Sequence, residues 1–281
     1  IYLFHIPGMQ AAGDVIDAFR AQDPVERLEK FQVALDRDSF ANQEITEQLA
    51  QQTMSVINNQ QIPEEVRQKY IAATERELIR LAEEKPGDAR VYVFIGSYYR
   101  SIGQLDKSAE YLELARAESP LKQGIIHQQG FVEMAKGNNE KALGFFAEAF
   151  NLVKENLEAR EYYAAALFSV DKSEEALALR LPESDEDVSD EAILRRFAAS
   201  DFLIGTANQA GALEFVTELF EYRANPASTG RQNWAESPQT WATLAYLYYQ
   251  QDKNEQAIAV LEESKEKLPA FSATADCFIA N

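Results

Sequence analysis

Side chains of the kinds that do covalent or metal chemistry are few: two histidines, His5 and His127, and one cysteine, Cys277. These three cannot fill the four Cys and His positions of a structural zinc site. A lone cysteine forms no internal disulfide, which leaves the redox compartment open. Asp185, Asp187 and Ser189 alternate like the first ligands of a calcium loop. The pattern then breaks, because Asp190 stands where a glycine must make the sharp turn and Arg196 where a bidentate Glu closes the site. No glycine-rich phosphate loop, Gly-x-Ser-x-Gly elbow or His-Glu-x-x-His pair occurs. His5 reads as part of an N-terminal tail, His127 as a partly exposed helix histidine without a Ser or Cys partner, and Cys277, beside Phe278 and Ile279, as a small apolar packing residue. With 46 Asp and Glu in the chain, carboxylate pairs are commonplace and read as solvated helix faces. No metal, cofactor or catalytic residue is expected in this segment.

The chain has 281 residues, 27 Lys and Arg against 46 Asp and Glu, a net charge of −19 and 46% hydrophobic residues. That apolar content supports folding, and the length allows one long domain or two ordinary ones. The acidic excess repels phosphate backbones and anionic lipid surfaces, which disfavours nucleic-acid binding. No run approaches the ~18 apolar residues of a membrane span, so direct insertion is not expected. The opening Ile1-Tyr2-Leu3-Phe4-His5-Ile6-Pro7 lacks a starting Met and the features of a secretory signal, and reads as the start of an excised or processed segment.

Self-similarity then organises the chain. Pro86 and Pro120, Gly96 and Gly130, and Gly103 and Gly137 are each 34 residues apart. Between the prolines lie Tyr92, Ile95, Gly96, Tyr99, Ser108, Leu112 and Ala115. Later copies run through Gly130, Ala142, Phe146 and Ala149, then Ala164, Leu167 and Ala176. The last, and clearest, runs through Trp241, Leu244, Ala245, Tyr248, Ala257, Leu261 and Pro269, with Ser264 at a place usually held by Ala. Small residues fall where two antiparallel helices approach closely, larger ones fill the space between pairs, and Gly103 and Gly137 fall where a helix ends in a left-handed residue. Each pair exposes an apolar face that only the next can cover. This spacing resembles the tetratricopeptide repeat.

The resemblance implies an all-α, right-handed superhelical solenoid of stacked antiparallel helix pairs over residues 11–281, about seven pairs, after a tail or membrane-proximal stub over residues 1–10. Helices are expected after Asp23-Pro24, over Asn42 to Ile57 and from Pro63, with Ala192 to Ile204 and Ala210 to Tyr222 as a further pair. Residues 182–191, six of them acidic, and 225–237, rich in Pro, Gly, Ser and Asn, read as long turns within one continuous solenoid. The recurring Tyr92, Tyr98, Tyr99, Tyr162, Tyr163, Tyr248 and Tyr249 read as packing residues.

First helices of such repeats line a concave groove. Carried over by the resemblance, the groove positions are Arg90, Val93, Ser97, Arg100, His127, Phe131, Glu161, Ala165, Phe168, Tyr246 and Tyr249. This set implies a protein or peptide partner, and the acidity implies that it has a basic face. The version that clamps the acidic C-terminus of chaperones is not reproduced, because Val93, Ser97 and Gln128 occupy the clamp positions. One further run, Asp23-Pro24 through Leu28-Glu29-Lys30-Phe31 and on to Gln43-Glu44-Ile45-Thr46-Glu47-Gln48-Leu49, resembles the segment after the last membrane helix of bacterial O-antigen ligase-like proteins with C-terminal tetratricopeptide repeats. That resemblance implies a non-catalytic soluble tail, tethered through preceding membrane spans, whose parent transfers polysaccharide elsewhere. The alternative is a free-standing soluble adaptor.

Overall fold

The computed structural model describes residues 2–184, 186–225, 227 and 233–280. Every regular element among them is helical. The chain divides into two compact units, residues 1–128 and 129–281.

The first unit contains α1 (Tyr2–Arg20), α2 (Pro24–Leu35), α3 (Asn42–Asn58), α4 (Glu64–Glu84), α5 (Ala89–Ser101) and α6 (Leu105–Glu118), and ends within α7 (Gln123–Ala135). Residues 2–10, expected as a tail, form the first half of α1, and Ala11 and Ala18 of that helix are fully buried in the core. Asp23 caps α2 by accepting the Glu26 N–H, with Pro24 at the first helical position, so the sequence signal works as read. Phe31, Leu35, Leu49 and Tyr70 fill one apolar cluster, and Leu78, Val91, Ile95 and Tyr99 another.

The second unit continues through α8 (Asn139–Leu152), α9 (Leu157–Phe168), α10 (Ser173–Ala178), α11 (Asp190–Ala199), α12 (Asp201–Gln209), α13 (Leu213–Ala224), α14 (Pro238–Gln250), α15 (Asn254–Lys267) and α16 (Ser272–Ala280). One core joins Phe146, Phe168, Phe197, Leu203, Phe215, Trp241 and Leu261. Within each unit most successive helices are joined by short turns and pack against each other, consistent with the helical solenoid that the repeat implies.

The turns show the period most sharply. Gly103, Gly137 and Asp171, each 34 residues from the next, take φ values of 77°, 79° and 61°. Behind each, an amide reaches back to a carbonyl five residues earlier: Gln104 to Tyr99 at 2.9 Å, Asn138 to Glu133 at 2.8 Å, Lys172 to Leu167 at 3.0 Å. Gly211 and Asp252 repeat the arrangement. Aspartate is among the few residues that visit the left-handed region at modest cost, so the turn persists where glycine is lost.

The single helix expected over Ala192 to Ile204 is two helices. Ser200 has extended backbone, and its hydroxyl accepts the Leu203 N–H at 3.0 Å, starting α12 while α11 ends. Asp185, residue 226 and residues 228–232 lie outside the described residues, as does the His5 side chain.

Candidate binding surface

α14 shows how the repeat divides a helix between core and solvent. Pro238 sets its first turn, and Trp241, Leu244, Ala245 and Leu247 point inward. Trp241 is 1% exposed and donates its indole N–H to the Ala235 carbonyl at 2.7 Å. Tyr246 and Tyr249, three residues apart, fall on the other face and are 59% and 63% exposed. Tyr249 therefore departs from the packing role read for the recurring tyrosines, whereas Tyr98 and Tyr99 are buried as expected. Beside the exposed rings opens a cavity of about 500 Å³ between α14, α15 and α16. Ala242, Ala245 and Ala257 leave its space, and Ile258, Leu261 and Ile279 wall it.

A second feature lies on α7, α9 and α12. Phe131 meets Tyr162 at 4.9 Å between ring centroids and Phe202 at 6.0 Å, forming an aromatic platform over the fully buried Phe146. At its edge the buried Glu161 carboxylate accepts the Ser200 hydroxyl and faces the Arg196 guanidinium. Burial raises the Glu161 pKa, against the Ser200 bond and the Arg196 charge. Burial also pushes Tyr162 up to about 12, with Glu158, which accepts its hydroxyl at 2.9 Å, adding to the rise. Ser200 is 7% exposed and its oxygen already holds the Leu203 N–H, so the Ser–Glu contact builds a helix cap.

The other groove positions divide by exposure. Arg90 is exposed and paired with Asp88 at 3.2 Å; Val93, Ser97 and Arg100 share α5 with it and are half-buried. His127 is 5% exposed, more enclosed than the partly exposed histidine expected from its place in the helix. Ala165 and Phe168 are buried, Phe168 stacking on Phe215 at 5.5 Å. The reason is local. α9 is in contact with α8, α10, α11 and α12, so eight of its twelve residues are buried and its groove positions belong to core. Cys277 is exposed rather than packed, because the inward positions of α16 fall to Ala275 and Ile279.

One feature escaped the sequence reading altogether. Arg160 and Glu186, 1% and 2% exposed at their side chains, form a buried ion pair that ties Glu186 to α9. Arg160 also donates to the Leu179 carbonyl at 3.2 Å and lies over the Phe150 ring at 5.0 Å. It stands in the place that Trp241 takes in the last copy, and a cation at a core position was the available signal. Among the described residues no group of three or more His, Cys, Asp and Glu is placed to hold a metal ion, and no helix is long and apolar enough to cross a membrane.

The tetratricopeptide repeat family model matches residues 89–115 and 238–266, which are the pairs α5–α6 and α14–α15. The chain carries tetratricopeptide repeats. No curated protein matches it. Solved structures similar to it include the MamA protein, 14% identical over 66% of this chain and 94% of that one, with a TM-score of 0.44. YrrB, described as a TPR protein with an unusual peptide-binding site, is 17% identical over 68% of this chain and 92% of its own, with a TM-score of 0.43. A tetratricopeptide repeat protein from Parabacteroides merdae is 14% identical over 79% and 80% of the two chains, with a TM-score of 0.47.

Proposed function

We propose that the chain is a non-catalytic protein-interaction scaffold, holding a segment of a partner protein on the groove-facing helices of its repeats. The observation that carries this is the pair Tyr246 and Tyr249, exposed side by side on a repeat helix and bordering an apolar cavity. Tyrosine supplies large contact area at low entropic cost, with a hydroxyl to fix orientation, and is enriched at binding surfaces for that reason. Phe131 offers a further contact in the same unit, and the half-buried Val93 and Ser97 are the corresponding candidate positions of the other unit, taken by itself. Selecting a displayed random-peptide library on the full chain tests the reading. Enriched peptides should lose several-fold or more in affinity when Phe131→Ala and Tyr249→Ala are combined, with helicity unchanged. An empty selection, or unchanged affinity, would overturn it.

Attachment to an O-antigen ligase-like membrane portion is a separate proposal, supported by the run from Asp23 to Leu49 alone. The gene upstream of Ile1 decides it: many spans of about 20 apolar residues support a tethered tail, and none favours a free-standing adaptor.

A further inference from the structure

The cavity beside Tyr246 and Tyr249 has a chemistry of its own. Its walls are aliphatic and aromatic apart from Asn254, and its volume of about 500 Å³ exceeds what one side chain fills. Ile258, at its mouth, is 44% exposed, an apolar surface left open to solvent. The unit that carries it is acidic in composition. Residues 129–281 carry 13 Lys and Arg against 26 Asp and Glu, a net charge of −13, and residues 233–281 alone carry three Lys against seven acids. Those lysines are engaged: Lys265 by Glu262 and Asp276, Lys267 by Glu263 at 2.6 Å, and Lys253 by the Gln251 side chain at 2.9 Å. Asn254, which lines the cavity, stands between that turn and the exposed Glu255.

Resting on the scaffold reading, we infer that this cavity is the anchor site, and that its occupant is a basic amphipathic segment of the partner. Apolar side chains one helical turn apart enter the cavity, and Lys or Arg on the segment's other faces meet the acidic excess of this unit. A second copy of this chain is the poorer occupant, because it brings a net charge of −19 to an already acidic unit.

The probe is a fluorescent synthetic helix with Leu at positions i, i+3, i+4 and i+7 and Lys elsewhere, titrated by anisotropy against the full chain. Ile258→Ser removes one wall without changing charge, and Ala242→Phe fills the cavity. Ile79→Ser alters an isoleucine of similar exposure, 46%, in the other unit and serves as the control. Both cavity variants should weaken the probe ten-fold or more at unchanged helicity. Ile79→Ser should leave it alone, affinity should fall as salt rises, and a probe with Glu in place of Lys should not bind. No binding, equal losses in all three variants, or tight binding of the Glu probe would overturn the inference. Light scattering that shows a dimer abolished by Ile258→Ser would overturn it in favour of a second copy. Library-selected peptides indifferent to Ile258→Ser, but sensitive to Phe131→Ala with Tyr249→Ala, would refute the anchor and leave the scaffold standing.

Discussion

Gly130→Ala tests whether the repeat's small positions are small because two helices touch there. A Cβ at residue 130 would lie 2.7, 2.8 and 3.0 Å from Cζ, Cε1 and Cε2 of Phe146. That ring is fully buried and hemmed by Phe131 at 5.2 Å and Tyr162 at 5.9 Å, so it has little room to withdraw. Overpacking of this kind costs about 1–3 kcal/mol. Alanine in place of glycine inside a helix returns about 1 kcal/mol. The net expectation is a destabilisation between about zero and about 2 kcal/mol. Gly144 supplies the control, since it lies exposed on α8 with nothing within 4 Å of its ideal Cβ. Gly144→Ala should therefore stabilise by about 1 kcal/mol. Urea midpoints followed by far-ultraviolet circular dichroism compare the two directly. A Gly130→Ala midpoint raised as much as that of Gly144→Ala would refute the close approach.

Glu186→Ala strands the buried Arg160 guanidinium and should cost about 3–5 kcal/mol, whereas Glu183→Ala, removing a 54% exposed partner of Lys154, should cost about 1 kcal/mol or less; similar losses in urea titrations would dismiss the buried pair. Glu161, whose pKa is raised in the fold, favours the native state most below its unfolded pKa and loses that contribution as pH rises through the folded one. The midpoint of Glu161→Gln relative to wild type should accordingly climb from acid to neutral pH, and the opposite slope would contradict the burial. Tyr70, fully buried, donates to the Pro24 carbonyl at 2.8 Å, so Tyr70→Phe should cost about 1 kcal/mol at neutral pH. Burial raises that hydroxyl from 10.0 to about 12, so the wild-type advantage should fade as pH rises through this range; a constant advantage would count against it.

The 34-residue spacing of Gly96 and Gly130 was legible because close helix contact admits only small residues, whatever the surrounding sequence. Asp171 hid the same turn in the next copy, since the left-handed backbone selects a conformation and glycine is only its commonest bearer. Exposure was harder to read. Phe168 and Tyr249 hold equivalent repeat positions, yet one is core and the other solvent-facing, because α11 and α12 pack on α9 whereas, among the described residues, the face of α14 that bears Tyr249 stays open. That difference depends on the Ser200 cap, which splits a run of uninterrupted apolar periodicity into two helices. Arg160 was opaque for a related reason: its counter-charge, Glu186, comes from a segment whose acidity reads as solvation until the backbone brings it round.

Site-specific photo-cross-linking from residue 249 in cells tests the scaffold claim most directly, with Met9, 75% exposed on α1, as the comparison position. A discrete protein adduct from position 249 that is absent from position 9, and diminished by Ile258→Ser, is the expected result. No adduct from 249, or the same adducts from both positions, would contradict the account.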